Sequence, residues 1–326
     1  MKALGRPGAA SRNGWKMDFS VIIPTYNRSE VLGITLQALA TQELATDPEA
    51  PPIRYEVVVI DDGSTDPTRQ LVETMLDPYP VPLKYLFQKN RKQGAARNLG
   101  VSRARGKYLL FLGDDTVPGP VFLREHRKSH AQGDPMLAVI GYTRWPEHFR
   151  RTPFLEYIGE KGWQFGFSLI EDPSDLPFNF FYTSNLSVPR DLFLGSGGFD
   201  ESFQEYGWED MELGLRLKKE GMRLCYNDRA VAYHHHRINL ASFVRRQRRV
   251  GRTAWTFYGS HPEVAGFLNV ESVPQYSLTR RLKMWALTCL CSLTENLTWP
   301  DMSSFYPDLM SYHYNRGIRE GRNESS

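Results

Sequence analysis

Residues 55–67 read YEVVVIDDGSTDP. The run from Tyr55 to Ile60 is β-rich and almost continuously apolar, as a strand buried on both faces should be. Asp61-Asp62-Gly63-Ser64-Thr65-Asp66 then supplies turn chemistry, and Asp66-Pro67 reads as a cap followed by proline at the first helical position. Strand, acidic turn and helix in so short a space form the unit of an α/β sheet. The same unit recurs on either side. Strand runs lie at FSVIIP (19–24), LKYLF (83–87) and KYLLFL (107–112), and helical spacing at 29–42, 66–76 and 93–104. The fold class expected is therefore α/β, with parallel strands joined by crossover helices. Residues 45–54, ATDPEAPPIR, read as a polar surface loop. Beyond them a helix is expected around 208–220, two short strands at 222–226 and 230–234, and polar helices to the end. No internal repeat is visible.

Composition agrees with a globular chain. Its 326 residues are 41% hydrophobic, 24% charged and 13% aromatic, which excludes disorder, collagen and low complexity. Three cysteines, Cys225, Cys289 and Cys291, build no disulfide framework or zinc motif and indicate a reducing compartment. The first seventeen residues lack the apolar run of a signal peptide and read as a flexible lead-in. The longest apolar stretch, from Met284 to Leu293, is broken by Thr288 and Ser292 and falls short of the ~20 residues that a span needs, so the chain is expected not to cross a bilayer. Arg280, Arg281 and Lys283 precede Trp285, Leu287 and Leu290, a basic edge beside an apolar face. Packing against the main domain is favoured there over membrane contact. The net charge of +3 is uneven: residues 1–237 hold 29 Lys and Arg against 30 Asp and Glu, and residues 238–326 hold 11 against 7.

In open α/β sheets ligands bind beyond the carboxyl ends of the strands. Here those ends carry Pro24-Thr25-Tyr26-Asn27-Arg28, then Asp61 to Asp66, then Gly113-Asp114-Asp115-Thr116. A lone Asp pair after a strand is often only a turn or a cap. Acid clusters converging on one edge suit a hard divalent cation that completes its shell with diphosphate oxygens. No G-x-x-x-x-G-K-[ST] or G-x-G-x-x-G is present, which argues against P-loop or dinucleotide binding.

The ordered motifs SVIIPTYNR, VVVIDDGSTD, GAARNLG, YLLFLGDD, NLSVPRDLF, GGFDE, GWEDMELGLRL and YHHHR resemble a family-2 inverting glycosyltransferase of the GT-A fold, from about Phe19 to His236. The resemblance implies a nucleotide-diphospho-sugar transferase with a Rossmann-like mixed sheet. It divides the chain into a flexible segment at 1–17, a GT-A domain at 18–237 and a basic helical extension at 238–326. Pro24, Thr25, Tyr26, Asp61, Asp62 and Arg97 should line the nucleotide pocket, for a UDP-linked donor. In the acidic Asp-x-Asp motif the first position falls on Gly113. Asp115 aligns with the metal-binding carboxylate, and the ribose-facing role is missing or passes to Asp114. The family also supplies one histidine to a Mn²⁺ or Mg²⁺ ion. In an extended segment 234 and 236 point together and 235 away, so His234 is the first choice and His236 the second. Asp210, the second acid of the Glu-Asp pair, should act as general base in an inverting transfer. Asn185, Gly198, Trp208 and Glu209 should shape the acceptor site.

Two features stand outside these motifs. Residues 143–182 carry eleven aromatics, read either as a satellite core or as a platform for a sugar ring or lipid. Between Asp228 and Glu263 there is no acid, while five arginines crowd FVRRQRRVGR, with Arg245, Arg248, Arg249 and Arg252 on one helical face. A solvated face, a site for a donor diphosphate or phospholipid-linked acceptor, and nucleic acid all compete, the last being disfavoured. The expected reaction is metal-dependent transfer of a sugar to a hydroxyl of a glycan or lipid-linked glycan, as in polysaccharide or cell-envelope biosynthesis. The expected location is the cytoplasm, with peripheral contact to an anionic membrane face. Two rivals stand: a sugar-nucleotide nucleotidyltransferase, which should carry a Gly-rich phosphate loop where PTYNRSE lies, and a non-catalytic glycan- or anionic-surface-binding protein on the same fold.

Overall fold

A computed structural model describes residues 17–44, 51–297 and 301–324. The lead-in, apart from Met17, lies outside the described residues, as do residues 45–50 of the Pro-rich connection. The strands are β1 (Met17–Thr25), β2 (Tyr55–Asp61), β3 (Leu83–Phe87), β4 (Gly106–Leu112), β5 (Thr116–Pro118), β6 (Leu137–Arg144), β7 (Asn185–Pro189) and β8 (Arg223–His234). The helices are α1 (Ser29–Ala40), α2 (Thr68–Met75), α3 (Lys92–Ser102), α4 (Phe122–Ser129), α5 (Pro153–Glu160), α6 (Arg190–Gly195), α7 (Glu209–Lys219), α8 (Leu240–Ser260), α9 (Ala265–Leu268), α10 (Leu278–Thr294) and α11 (Tyr306–Glu324).

The strands form one mixed sheet in the order β3-β2-β1-β4-β7-β6-β8-β5. β1 runs parallel to β2 and β4, and β2 to β3, whereas β7 is antiparallel to both of its neighbours. The chain walks outward from β1 to β3 and returns on the other side of β1 as β4. The strand order therefore reverses between β1 and β4, which leaves a crevice at their carboxyl ends.

Alternation along the strands builds two cores. Phe19, Val21 and Ile23 join Val57 and Val59 against Leu32 and Leu36 of α1, Val72 of α2 and Phe122 of α4. Ile22, Val58, Ile60 and Phe111 face the other way, onto Ala96 of α3, Phe193 of α6 and Leu213 and Leu217 of α7. Glu56, the one charge inside the β2 run, is fully buried, accepts the Ser20 hydroxyl at 2.7 Å and pairs with Lys84 and Arg105 at 2.9 and 2.8 Å. Its presence in an apolar strand thus follows from satisfied hydrogen bonds and charge.

One expectation needs correction, and two readings left open are narrowed. The two short strands at 222–226 and 230–234 are one, β8. It pairs from Arg223 to Asn227 with Leu137 to Gly141 and, past an irregularity, from Ala232 to Tyr233 with Thr143 to Arg144. The eleven aromatics form core rather than an open platform: Trp145, Phe154 and Phe165 are buried beside Phe243, Met284 and Tyr306, and none of the eleven is exposed. Half of the arginine stripe is paired with acids of the protein itself. α8 begins at a capping box of Asn239 and Ser242, and α11 crosses it so closely that a Cβ on Gly317 would lie 1.9 Å from the Arg248 carbonyl oxygen. Across that contact Arg248 and Arg252 pair with Glu320 at 2.7 and 3.3 Å, and Arg252 also pairs with Glu205, before α7, at 3.0 Å. Arg245 and Arg249 stay exposed.

Candidate active site

The crevice gathers the ends of β1, β4 and β8. Register aligns Thr25 with Asp61 and Thr116 with His234. Asp114 is buried, accepts the Thr25 hydroxyl at 2.8 Å and pairs with Arg28 at 3.2 Å, while its carbonyl accepts the Thr35 hydroxyl at 2.8 Å. Asp115 also pairs with Arg28 and lies 3.8 Å from His234 Nε2; its carbonyl oxygen accepts the His235 amide at 2.7 Å. Arg28, absent from the site expected by resemblance, is thus the standing positive charge across the acidic pair. Burial and the Asp115 charge push the Asp114 carboxyl upward. At Asp115 the cost of burial is outweighed by His234, in its protonated form, and by Arg28, and its pKa falls.

Gly113 has a steric reason. A Cβ there would lie 2.7 Å from the Thr116 hydroxyl and 3.2 Å from an Asp115 carboxylate oxygen, so a side chain at this position would force the Thr116 hydroxyl to move and would crowd the Asp115 carboxylate.

His234 is buried between Trp145 and Phe165, whose rings stand 5.3 and 5.6 Å away. The His236 ring is 6.0 Å from it, whereas His235 packs by His148 and Phe149, which is the alternation of an extended segment. Burial pushes His234 down to about 4, so near pH 7 it is neutral and has a lone pair to offer; its Nδ1 is buried without a hydrogen-bond partner. Among the described residues no group of three or more His, Cys, Asp or Glu is spaced to hold a metal. One carboxylate and one neutral imidazole nevertheless fit a divalent ion that takes its remaining ligands from phosphate and water.

A second cluster forms where α7 begins. Asp210 accepts the Thr183 amide at 2.9 Å and hydroxyl at 2.7 Å on one oxygen, and on the other it meets Arg97 at 3.2 Å. Glu209 is buried, holds Gln93 at 2.5 Å and Arg97 at 3.3 Å, and has its pKa raised by burial and by Asp210. Arg97 therefore faces the acids of α7. The two clusters are neighbours, because Ser184, next to Thr183, accepts the Gly113 amide at 3.3 Å. Arg246 reaches the same area from α8: its guanidinium lies 4.7 Å from the Tyr206 ring centre, hydrogen-bonds Gln164 at 2.6 Å and adds its charge to the field at His234. The helical spacing could show which arginines share a face, but not that Arg246 is the one turned to the crevice.

The remaining expected residues vary in their access. Pro24 is half-buried at the crevice edge, and Tyr26 is 48% exposed there. Asp61 accepts the Tyr85 hydroxyl at 2.6 Å and the Ser64 amide at 2.7 Å. Both oxygens of Asp62 are used by Gln88 and by the amides of Arg91 and Lys92 at the start of α3. Gly198 is a turn at φ +81° whose carbonyl oxygen binds Arg216, and the Trp208 indole donates to the Val250 carbonyl at 2.9 Å. Asn185 is a correction. It is buried, and its amide is spent on His126 and on the Ala230 carbonyl, both at 2.9 Å, so it offers an acceptor nothing.

That buried network, which continues through the Ser187 hydroxyl at 2.9 Å from His126 and 2.8 Å from His130, carries a pH dependence. Burial pushes His126 down to about 4 and His130 to about 3. Both are neutral in the folded protein, while the unfolded chain begins to bind protons near ~6.5. Stability is then full above about pH 6.5 and is lost as the pH falls toward 4, by roughly 2 kcal/mol per histidine at pH 5. Urea unfolding at pH 7.5 and pH 5 measures the loss; undiminished acid sensitivity in His126→Gln would contradict it.

The model of glycosyl transferase family 2 matches residues 20–188, and that of glycosyl transferase family group 2 matches residues 108–314. The chain is 34% identical over 244 residues to validoxylamine A glucosyltransferase of Streptomyces hygroscopicus subsp. limoneus, covering 68% of this chain and 51% of that protein. It thus spans about half the length of this curated relative. Among solved structures, the mannosyltransferase PcManGT from Pyrobaculum calidifontis in complex with GDP-Man and Mn²⁺ superposes with a TM-score of 0.62 at 17% identity, over 97% of this chain and 92% of that one. S. aureus TarS 1-349 in complex with UDP-GlcNAc gives 0.53 at 15% identity, over 94% and 92%. The fold is that of the GT-A glycosyltransferases.

Proposed function

This chain belongs to glycosyl transferase family 2, and we propose that it transfers a sugar from a nucleoside-diphosphate donor, UDP-linked, to an acceptor hydroxyl of a glycan or lipid-linked glycan with inversion. One observation carries the reading: the oriented carboxylate of Asp210 is one residue step, through Thr183 and Ser184, from the Gly113–Asp115 turn. A base and a leaving-group site set so close suit a direct displacement at a sugar carbon. The Mn²⁺ complex of the mannosyltransferase and the UDP-GlcNAc complex of TarS support the metal and the donor class.

In this reading Asp210 accepts the proton of the acceptor hydroxyl as its oxygen attacks the anomeric carbon. The bond from that carbon to the diphosphate breaks, and the diphosphate leaves with the electron pair. Thr183 and Arg97 hold Asp210 in one orientation, and Glu209 and Gln93 complete that shell. Pro24, Thr25, Tyr26, Asp61 and Asp62 frame the nucleotide side, with the exposed Tyr26 ring available for stacking. Asp115 and His234, with the exposed His236 beside them, would hold a divalent cation, which when bound supplies positive charge to the departing diphosphate. Arg28 and Arg246 add permanent charge on the same side. The larger part, to residue 237, carries this chemistry, and the helical part from 238 adds Arg246 to it.

Thermal-shift screening of nucleotide sugars with Mn²⁺, followed by assay of nucleoside diphosphate release in the presence of glycan acceptors, tests the reading. Stabilisation by UDP-sugars with acceptor-dependent UDP release is expected. Stabilisation by no nucleotide sugar would overturn it.

A further inference from the structure

Helix α10 carries apolar side chains on two opposite faces. Met284 and Cys291 are buried and Leu287 half-buried in the core shared with α8 and α11. On the other side Leu278, Leu282, Trp285, Leu290 and Leu293 are exposed, Trp285 by 68% and Leu293 by 80%. At ~100° per residue these five span an arc of roughly 140°, opposite Met284 and Cys291. Exposed Arg281 and Lys283 fall on the two margins of that arc, and the helix contains no acid. A contiguous apolar face rimmed by charge marks an interaction surface, whereas a solvated face would be polar throughout.

We propose that this face of α10 docks on an anionic lipid bilayer, with the helix lying in the interface plane. Charge complementarity selects that occupant. Lysine and arginine on both margins can extend toward headgroup phosphates while leucines enter the acyl boundary, and tryptophan is suited to the level between them. A second copy meeting this face across a two-fold axis would bring together two helices with basic margins and no acid to pair with Arg281 and Lys283. No helix of the described residues is long and apolar enough to cross a membrane, so the contact is peripheral. The element is preformed: Ser277 caps it, Arg280 ties it to Asp308 of α11 at 3.2 Å, and its inner face is packed, so little ordering is left to oppose binding. The proposal does not depend on the identity of donor or acceptor.

Flotation of the full chain with vesicles of phosphatidylcholine alone, or mixed with phosphatidylglycerol, is the test. Binding to the anionic vesicles is expected, and Arg281→Gln with Lys283→Gln should weaken it by roughly 25-fold, at about 5-fold per cation. Trp285→Ser with Leu293→Ser, both at exposed positions, should weaken it at least as much while melting with the wild type. Failure of the wild type to float with anionic vesicles, or undiminished flotation of the Ser variant, would overturn the proposal. So would light scattering showing a wild-type dimer that the Ser variant dissolves, since the face would then belong to a second copy.

Discussion

Asp210→Asn should lower the rate of sugar transfer by ~10²–10⁴-fold, the contribution of a positioned general base, with UDP affinity changed little. The substitution is nearly isosteric, which makes it informative. Asp210 has both carboxylate oxygens engaged, one with the amide and hydroxyl of Thr183 and the other with Arg97. Asparagine can keep its carbonyl oxygen toward Thr183, but its NH₂ then faces the Arg97 guanidinium, donor against donor. Arg97 retains Glu209 at 3.3 Å, so the buried guanidinium is not left without a carboxylate and the fold should lose only about 1–2 kcal/mol. Rate and stability therefore separate. Transfer at the wild-type rate by a variant that binds UDP normally would remove Asp210 from the chemistry. A fall in rate matched by lost UDP binding would assign it to the donor site instead.

The first half of the fold was legible because β1, β2 and β4 are buried on both faces, so their apolar runs stand out between turn residues. β6 and β7 were not singled out. β8 reads as two strands in the sequence because Asn227, Asp228 and Arg229 interrupt its apolar pattern at a sheet irregularity, where the strand carries on past polar residues. The candidate site divides in the same way. Strand ends could be found by counting, and the structure brings Thr25, Asp114, Asp115 and His234 together. Contacts that depend on helix phase could not be found by counting. Arg28 reaches back over two carboxylates, Arg246 and not Arg245 or Arg249 turns to the crevice, and Glu320, far along the chain, takes up Arg248 and Arg252. Asn185 carries no sign in the sequence that His126 already occupies it.

The other large effect concerns Asp115. With Arg28 lying across Asp114 and Asp115, a divalent cation must compete with a guanidinium for the same carboxylate. Mn²⁺ alone should accordingly bind weakly. A nucleoside diphosphate changes the balance, since it offers phosphate oxygens both to Arg28 and to the metal, so each ligand should raise the affinity for the other. Such coupling is reciprocal and typically ~5–150-fold. Titrating UDP into the wild-type protein with and without Mn²⁺ should show an enhancement in that range. In Asp115→Ala the ratio should collapse to about 1, because His234 alone is a poor site for a hard cation and His236 is exposed beside it. UDP binding without metal should persist in the variant, supported by the nucleotide side of the crevice, which Asp115 does not touch. That persistence distinguishes a lost metal ligand from a collapsed site. If Asp115→Ala retained the Mn²⁺ enhancement, the metal would have to be held elsewhere, and if the wild type showed none, Arg28 would be the resident cation of this crevice rather than a competitor for it.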